Sequence, residues 1–151
     1  MFVGSSDAHK TYLLVTAIVV GSFGPIFTLA TMDAGGDIAR WSLNILNGPG
    51  GDAESFSAGT TQFLSALTGG FLFGWGVMIL CLRAWVYDVA PEAVRRSVVA
   101  GLAAWFTLDS IGSITSGNTW NVLFNVAVLA LAVGPLWRAP ASDEELAPVA
   151  S

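Results

Sequence analysis

Four long apolar stretches constrain the fold of this chain more than any other feature. They cover residues 11–31, 61–82, 97–114 and 119–137, and three of them contain no charged residue. A helix needs about 20 residues to cross the ~30 Å hydrocarbon layer of a membrane, and each stretch is close to that length. Charged residues make up only 11% of the chain, which is far below the level of soluble domains. We therefore predict one all-α integral membrane domain over residues 1–151, a four-helix bundle.

Basic residues are distributed unequally between the two sides of this predicted bundle. With four spans, both termini and the connection between the second and third spans share one side. The other side carries only Arg40 of the six basic residues. The five on the shared side are Lys10, Arg83, Arg95, Arg96 and Arg138. Because an excess of basic residues marks the cytoplasmic side, this bias predicts that both termini are cytoplasmic and that the protein lies in the inner (cytoplasmic) membrane.

Residues 32–60 form the long connection on the predicted outer side. Within it, Ile38, Trp41 and Ile45 recur at helical spacing, and glycines flank the segment on both sides. This pattern predicts a short amphipathic helix on the outer membrane surface, with an irregular loop as the alternative. After the fourth stretch, residues 140–151 are acidic and rich in alanine and proline, a composition that predicts a mobile tail.

Small residues predict close packing between the helices. In the second stretch, Ala66, Gly70 and Gly74 repeat every four positions, and Gly69 and Gly76 stand beside them. Lipid provides no hydrophobic drive for helix association, so membrane helices rely on small residues that let their backbones approach. The repeat therefore predicts that one face of the second helix packs against a neighbour.

Asp109 is the only charged residue within the four apolar stretches. An acid at membrane depth is costly and marks a functional or paired position. The link around Gly117 is short, so the third and fourth helices are predicted to be antiparallel neighbours. Ser113 and Asn121 each lie four residues from Gly117, and Asp109 and Asn125 each lie eight residues from it. Equal separation predicts equal depth, so each pair is expected to face across the hairpin.

Two interpretations of this polar cluster remain open. In the first, Asp109 hydrogen-bonds Asn125 and clasps the two helices in register, for about 0.6 to 2 kcal/mol per bond. In the second, the cluster is a binding site in the outer half of the membrane, where Asp109 holds a cation, a proton or a polar headgroup. Gln62, at the outer start of the second helix, and Arg40, from the surface segment, are the candidates to join it.

The sequence contains no set of catalytic or metal-ligating residues. His9 is the single histidine and Cys81 the single cysteine, so one chain cannot build a disulfide or a Cys/His metal centre. His9 precedes the first apolar stretch and is interpreted as a solvated interface residue, with a role as a metal or pigment ligand as the alternative. An enzyme would need a partner for Asp109, and Arg40 is the best candidate. The chain has 11 acidic against 6 basic residues, so no nucleic-acid partner is expected, and no cofactor is identified.

Three groups of residues resemble those of one class of membrane protein. They are Gly69-Gly70 followed by Gly74-Trp75-Gly76-Val77-Met78, Asp109-Ser110 followed by Gly112-Ser113, and Asn121 followed by Asn125. Together they resemble uncharacterised small four-helix bacterial membrane proteins. The resemblance covers about residues 10–138. It implies a bacterial cytoplasmic membrane and no particular activity.

Two functions are expected from these features. The favoured one is a non-catalytic accessory or assembly subunit of a membrane complex, because packing faces are plentiful and catalytic groups are lacking. Its partners would be membrane lipids and other membrane-protein subunits or copies of itself. The alternative is a small carrier or binder of a lipid, a pigment or another apolar ligand, with a polar site at Asp109. Trp75 and Trp105 lie deep in their stretches, and packing is the favoured interpretation of both, with ligand contact as the alternative.

Overall fold

The computed structural model describes residues 6–32 and 58–139 and, between them, Asp37, Arg40, Trp41, Asn44, Ile45 and Gly48. Within these residues the chain is all-α and contains no strand. Its helices are α1 (Ser6–Leu29), α2 (Gly59–Cys81), α3 (Pro91–Thr115) and α4 (Trp120–Val133). A π-helical turn, Leu82–Val86, extends α2, and a 3-10 turn, Gly134–Trp137, extends α4. With these extensions, each helix is long and apolar enough to cross a membrane, which confirms the predicted fold class at this level.

Two helices begin earlier than the apolar pattern predicts. α1 begins at Ser6 instead of residue 11. α3 begins at Pro91, ahead of its apolar stretch at 97–114, which confirms Pro91 and Glu92 as the sequence signals for the start of this helix. Proline suits the first turn of a helix, where its missing N–H has no partner to lose. In the same turn, Glu92 pairs with Arg95 at 2.7 Å and with Arg96 at 2.6 Å. These i,i+3 and i,i+4 pairs let α3 continue through charged residues before its apolar part begins.

α1 and α2 are the most extensively packed pair of helices because glycines meet between them. A Cβ atom added to Gly76 would lie 2.7 Å from the Cα atom of Gly21. A Cβ atom added to Gly69 would lie 2.8 Å from the carbonyl oxygen of Gly24. No real side chain fits at such distances, so the approach of the two backbones depends on glycine at these positions.

The predicted repeat of Ala66, Gly70 and Gly74 lies on a different face of α2. All three residues are exposed, and a Cβ atom added to Gly70 or Gly74 would meet nothing within 4 Å. The contact with α1 uses Gly69 and Gly76 instead, which are spaced by two helical turns. The face that packs is therefore rotated away from the four-residue repeat, and the repeat lies on the outside of α2.

Most of the large, fully buried side chains lie toward one end of the helices. This end holds the start of α1, the connection between α2 and α3 and the end of α4, and we call it the terminal end; the opposite end is the loop end. The large buried side chains of this part of the core are His9, Leu13, Ile79, Tyr87, Val94, Leu102 and Leu136. Polar contacts tie the same helix ends together: Arg83 Nε donates to the carbonyl oxygen of Lys10 at 2.8 Å, and Arg95 donates to that of Leu136 at 2.8 Å.

His9 is fully buried at the terminal end, so its interpretation as a solvated residue was wrong. Because α1 already begins at Ser6, His9 lies on the helix and shares a face with the buried Leu13 and Thr16. Its ring meets Tyr87 edge to face, with 6.4 Å between the centroids. Among the described residues, no group lies at both hydrogen-bonding distance and hydrogen-bonding angle from either ring nitrogen of His9 or from the Tyr87 hydroxyl.

The π-helical turn at the end of α2 carries Tyr87 into this buried cluster. The N–H of Tyr87 donates to the carbonyl oxygen of Leu82, five residues back, at 2.9 Å. Beside it, Asp88 pairs with Lys10 of α1 at 2.5 Å. Burial raises the pKa of the Tyr87 phenol above its ordinary value, although the nearby Ser6 hydroxyl and Lys10 ammonium offset part of the shift.

The described residues of the long connection have helical backbone at Asp37, Arg40, Trp41, Asn44 and Ile45. Trp120, at the start of α4, donates its indole N–H to the carbonyl oxygen of Ile45 at 3.2 Å, which ties this segment to the loop end. Ile38 of the predicted apolar face and the predicted mobile tail at 140–151 lie outside the described residues.

Candidate functional site

A tight turn joins α3 to α4 and sets the position of the polar cluster. Gly117 has a φ of +81°, a conformation that suits glycine at the end of a helix. The N–H of Asn118 reaches back to the carbonyl oxygen of Ser113 at 2.8 Å, and that of Gly117 to Ile114 at 3.1 Å. Glycine is therefore the terminator of α3, as the sequence predicts, and the two helices run antiparallel from this turn.

Asn121 links two polar residues of α3. Its side-chain amide donates to Ser113 Oγ at 2.9 Å and also lies 3.4 Å from Asp109 Oδ2. The first of these contacts is the pair expected four residues from Gly117. Asp109 and Ser113 are one turn apart on the same face of α3, so one amide can reach both of them.

The deeper pair differs from the expectation. Asn125 is buried, and its amide donates to Ser110 Oγ at 3.4 Å instead of to Asp109. Counting from the turn predicts the depth of a residue but not its angle around the helix. Ser110 follows Asp109 by one residue, which rotates its side chain by about 100°. Ser110 therefore faces α4 directly, while Asp109 faces a cavity beside the α3–α4 contact.

This cavity has a volume of about 550 Å³ and lies between all four helices. Its walls are apolar and largely aromatic, formed by Val20, Phe23 and Phe27 of α1, Phe71, Leu72 and Trp75 of α2, Trp105 and Leu108 of α3, and Phe124 and Val128 of α4. The polar side chains in its lining are Thr68, Asp109, Asn121 and Asn125. A cavity of this size, with apolar walls and a few convergent polar groups, is typical of small-molecule sites.

The two deep tryptophans of the sequence both lie in the cavity wall. Trp75 comes from α2 and Trp105 from α3. Trp75 also packs on α3, since a Cβ atom added to Gly101 would lie 3.3 Å from its Cζ2 atom. On the opposite side, Phe23 of α1 and Phe124 of α4 meet edge to face, with 6.0 Å between their centroids. The same aromatic rings therefore pack between the helices and line the cavity.

The cavity opens to the outside between α2 and α3. α1 packs against α2 and α4, and α3 packs against α4, whereas the main chains of α2 and α3 scarcely approach each other. Trp75 bridges this gap on the side of the terminal end. Toward the loop end, Phe71 and Leu108 line the cavity and are 71% and 72% exposed. These two side chains therefore form the rim of a lateral opening.

Arg40 does not join the polar cluster. Its guanidinium donates to the carbonyl oxygens of Ala30 and Met32 at 3.2 and 3.0 Å, and it pairs with Asp37 at 2.7 Å. It thus caps the end of α1 instead of reaching Asp109. The candidate partner for acid–base chemistry is therefore held elsewhere.

Gln62 lies in the first turn of α2 at the loop end and is not among the residues that line the cavity. Of the six residues expected at the site, the structure brings together Asp109, Ser113, Asn121 and Asn125, and it adds Ser110. Among the described residues, no group of three His, Cys, Asp or Glu side chains could hold a metal ion. Among the described residues that line the cavity, Asp109 is the one titratable group, and the apolar walls around it suit the binding of a molecule.

A comparison of the chain with protein-family models, with curated proteins and with solved structures finds no match.

Proposed function

We propose that this protein binds an apolar or amphiphilic molecule in the cavity between its four helices, with Asp109, Asn121 and Asn125 at the polar end of the site. The observation that carries the proposal is the cavity itself, which has a volume of about 550 Å³, largely aromatic walls and a few polar side chains in its lining. The position of Trp75 and Trp105 in its wall favours this function over that of a purely structural subunit.

The test compares two valines of α4. Val128 lines the cavity, whereas Val126 is 49% exposed on another face of the same helix. The neutral fluorescent probe N-phenyl-1-naphthylamine is titrated into the purified protein in a neutral detergent. We expect Val128→Phe to fill part of the cavity and to weaken probe binding by about tenfold, and the matched Val126→Phe to leave it unchanged. Equal binding by all three proteins would contradict a ligand in this cavity.

We further propose that the four helices span the bacterial inner membrane with the terminal end in the cytoplasm, and that the helical segment around Trp41 lies on the outer surface. Large apolar side chains such as Ile18, Phe63 and Leu123 are exposed on the outside of the helices, and lipid would cover them. Five of the six basic residues belong to the terminal end or follow it, which supports this orientation.

Labelling of single cysteines tests the orientation. In a Cys81→Ser background, a membrane-impermeant maleimide should label Trp41→Cys in intact cells. It should label Asp88→Cys only after the membrane is permeabilised, because Asp88 is an exposed residue of the terminal end. The reverse pattern would show that the termini lie outside.

An accessory subunit of a membrane complex is the second candidate function. The observation that favours it is the outward face of α2, where Ala66, Gly70 and Gly74 provide a smooth surface for another membrane helix. Sedimentation of native detergent extracts tests it. A complex that Gly70→Leu dissociates would support this role, and a monomeric wild-type protein would contradict it.

A further inference from the structure

The described lining of the cavity carries negative charge and no positive charge. Asp109 is the only charged side chain among the lining residues. Described basic residues are engaged elsewhere: Arg40 caps α1, Lys10 pairs with Asp88, and Arg95 pairs with Glu92. A carboxylate at membrane depth is stabilised by a positive partner, and the described part of the chain places none beside Asp109.

Three oxygen atoms at this end of the cavity can accept a hydrogen bond from a ligand. The amide nitrogen of Asn121 is used by Ser113 and Asp109, and that of Asn125 by Ser110. The second carboxylate oxygen of Asp109 and the amide oxygens of the two asparagines are left to accept, and one N–H of Asn125 is left to donate. Such a set suits a ligand group that donates hydrogen bonds or carries positive charge. It repels a carboxylate or a phosphate.

An aromatic ring stands next to the carboxylate. Trp105 precedes Asp109 by four residues, so both lie on one face of α3, one turn apart. Trp75 lines the cavity from the facing helix. The face of an indole ring attracts cations more strongly than any other side-chain ring does. An acid with a tryptophan one helical turn away is therefore suited to an organic cation, whose charge is spread over carbon groups that also need apolar contacts.

We propose that the ligand of this cavity is an amphiphilic organic cation. Its positive centre lies at Asp109, against Trp105, and its apolar body fills the aromatic part of the cavity. It enters from the lipid through the lateral opening between Phe71 and Leu108. This inference rests on the proposed function and specifies the class of ligand.

The experiment uses two probes of the same shape and opposite charge. Tetraphenylphosphonium and tetraphenylborate are each titrated into the full-length protein in a neutral detergent, with N-phenyl-1-naphthylamine as the neutral reference. We expect the cation to bind at least about tenfold more tightly than the anion. Asp109→Asn should weaken the cation about tenfold while the neutral probe still binds within about twofold of wild type. Asp88→Asn, which removes an acid of the terminal end, should change none of the affinities.

The outcomes separate this inference from the function on which it rests. If the neutral probe binds in a Val128-dependent way but the wild-type protein binds both ions equally, or if Asp109→Asn leaves cation binding unchanged, the ligand is not a cation and the binding function stands. If no probe binds, both proposals fail. The comparison of the two ions in the wild-type protein needs no variant, so it decides the question even where Asp109→Asn does not fold. Trp105→Leu adds a second variant, which should weaken the cation more than the neutral probe.

Discussion

Asn121 of α4 contacts two polar side chains of α3. It holds Ser113 at 2.9 Å and approaches Asp109 at 3.4 Å. We expect Asn121→Ala to lower the free energy of unfolding by about 0.6 to 2 kcal/mol, the range measured for hydrogen bonds between membrane helices. Thr107→Ala is the control, because the Thr107 hydroxyl bonds only the carbonyl of its own helix, at Ala103. Denaturant titration of both variants in mixed micelles measures the difference, and equal stabilities would show that the contact does not hold the hairpin.

Tyr87 predicts a dependence of stability on alkaline pH. Its folded-state pKa lies above the ordinary value of 10.0, because burial disfavours the phenolate. Tyr87 therefore stabilises the folded protein as a neutral phenol at any pH below the pKa of the unfolded chain. This stabilisation is lost as the pH rises through the higher pKa that Tyr87 has in the folded protein. We expect Tyr87→Phe, which cannot ionise, to lose less stability than the wild type above pH 10.0. Thermal unfolding followed by circular dichroism between neutral and alkaline pH checks this, and parallel curves for the two proteins would contradict it.

Residue counting predicted part of this site and missed the rest for geometric reasons. The separation from Gly117 correctly places Ser113 opposite Asn121, because a tight turn fixes the depth of residues on both helices. It does not predict that Ser110, instead of Asp109, meets Asn125, because the angle at which two helices face each other depends on side-chain packing. Arg40 was expected near Asp109 on the basis of charge alone. The unsatisfied carbonyl groups at the end of α1 offer it a nearer set of acceptors.

At the scale of the helices, two glycines of α2 differ in what surrounds them. A Cβ atom at Gly76 would overlap α1, whereas one at Gly74 would meet open space. We expect Gly76→Ala to destabilise the protein by about 1–3 kcal/mol, since the helices must separate to admit the methyl group. Gly74→Ala should be neutral or stabilising by up to about 1 kcal/mol, because alanine favours the helix. Unfolding titrations of the matched pair measure both effects, and equal losses would place the contact with α1 elsewhere on α2.

The helices themselves were the most predictable part of the fold. Their apolar length follows directly from composition, and the four predicted stretches correspond to α1–α4. The start of α1 was less predictable, because Ser6–Lys10 carries polar and charged residues that a hydropathy pattern excludes. The start of α3 at Pro91 is predicted by proline at a first helical position and by Glu92 after it. Lys10 pairs with Asp88 of the connection between α2 and α3, and Arg95 donates to the carbonyl oxygen of Leu136. The burial of His9 follows from the early start of α1, and the helical spacing of His9, Leu13 and Thr16 is the signal that could have revealed it.

At the scale of the whole molecule, the lateral opening between α2 and α3 predicts control of ligand exchange. Phe71 and Leu108 stand on opposite sides of its rim. In a Cys81→Ser background, cysteines at these two positions joined by a cleavable bismaleimide should slow the exchange of N-phenyl-1-naphthylamine by about tenfold or more. Cleavage of the linker should restore the exchange rate. Stopped-flow fluorescence measures it, and unchanged exchange in the linked protein would mean that the ligand enters elsewhere.

The cavity was not predictable from the sequence, although its polar end was. Trp75 and Trp105 lie deep in their apolar stretches, and packing was the favoured interpretation of both, with ligand contact as the alternative. The space between them depends on how α2 and α3 are held apart, which is decided by the glycine contact of α2 with α1 and by the hairpin of α3 with α4. A short stretch of sequence predicts neither of these two contacts, because each joins residues that lie far apart in the chain or depends on how two helices face each other.

The π-helical turn at Leu82–Val86 holds one residue more than an α-helical turn requires. The extra residue rotates the chain after the turn, beginning at Tyr87, around the helix axis relative to α2. Deletion of one residue in this turn would restore a continuous α-helix and would turn Tyr87 and Asp88 by about 100° around its axis. Tyr87 would then leave the ring of His9, and Asp88 would leave the ammonium group of Lys10. The chain length of this connection, and not only its composition, therefore sets the alignment of α2 with the start of α1.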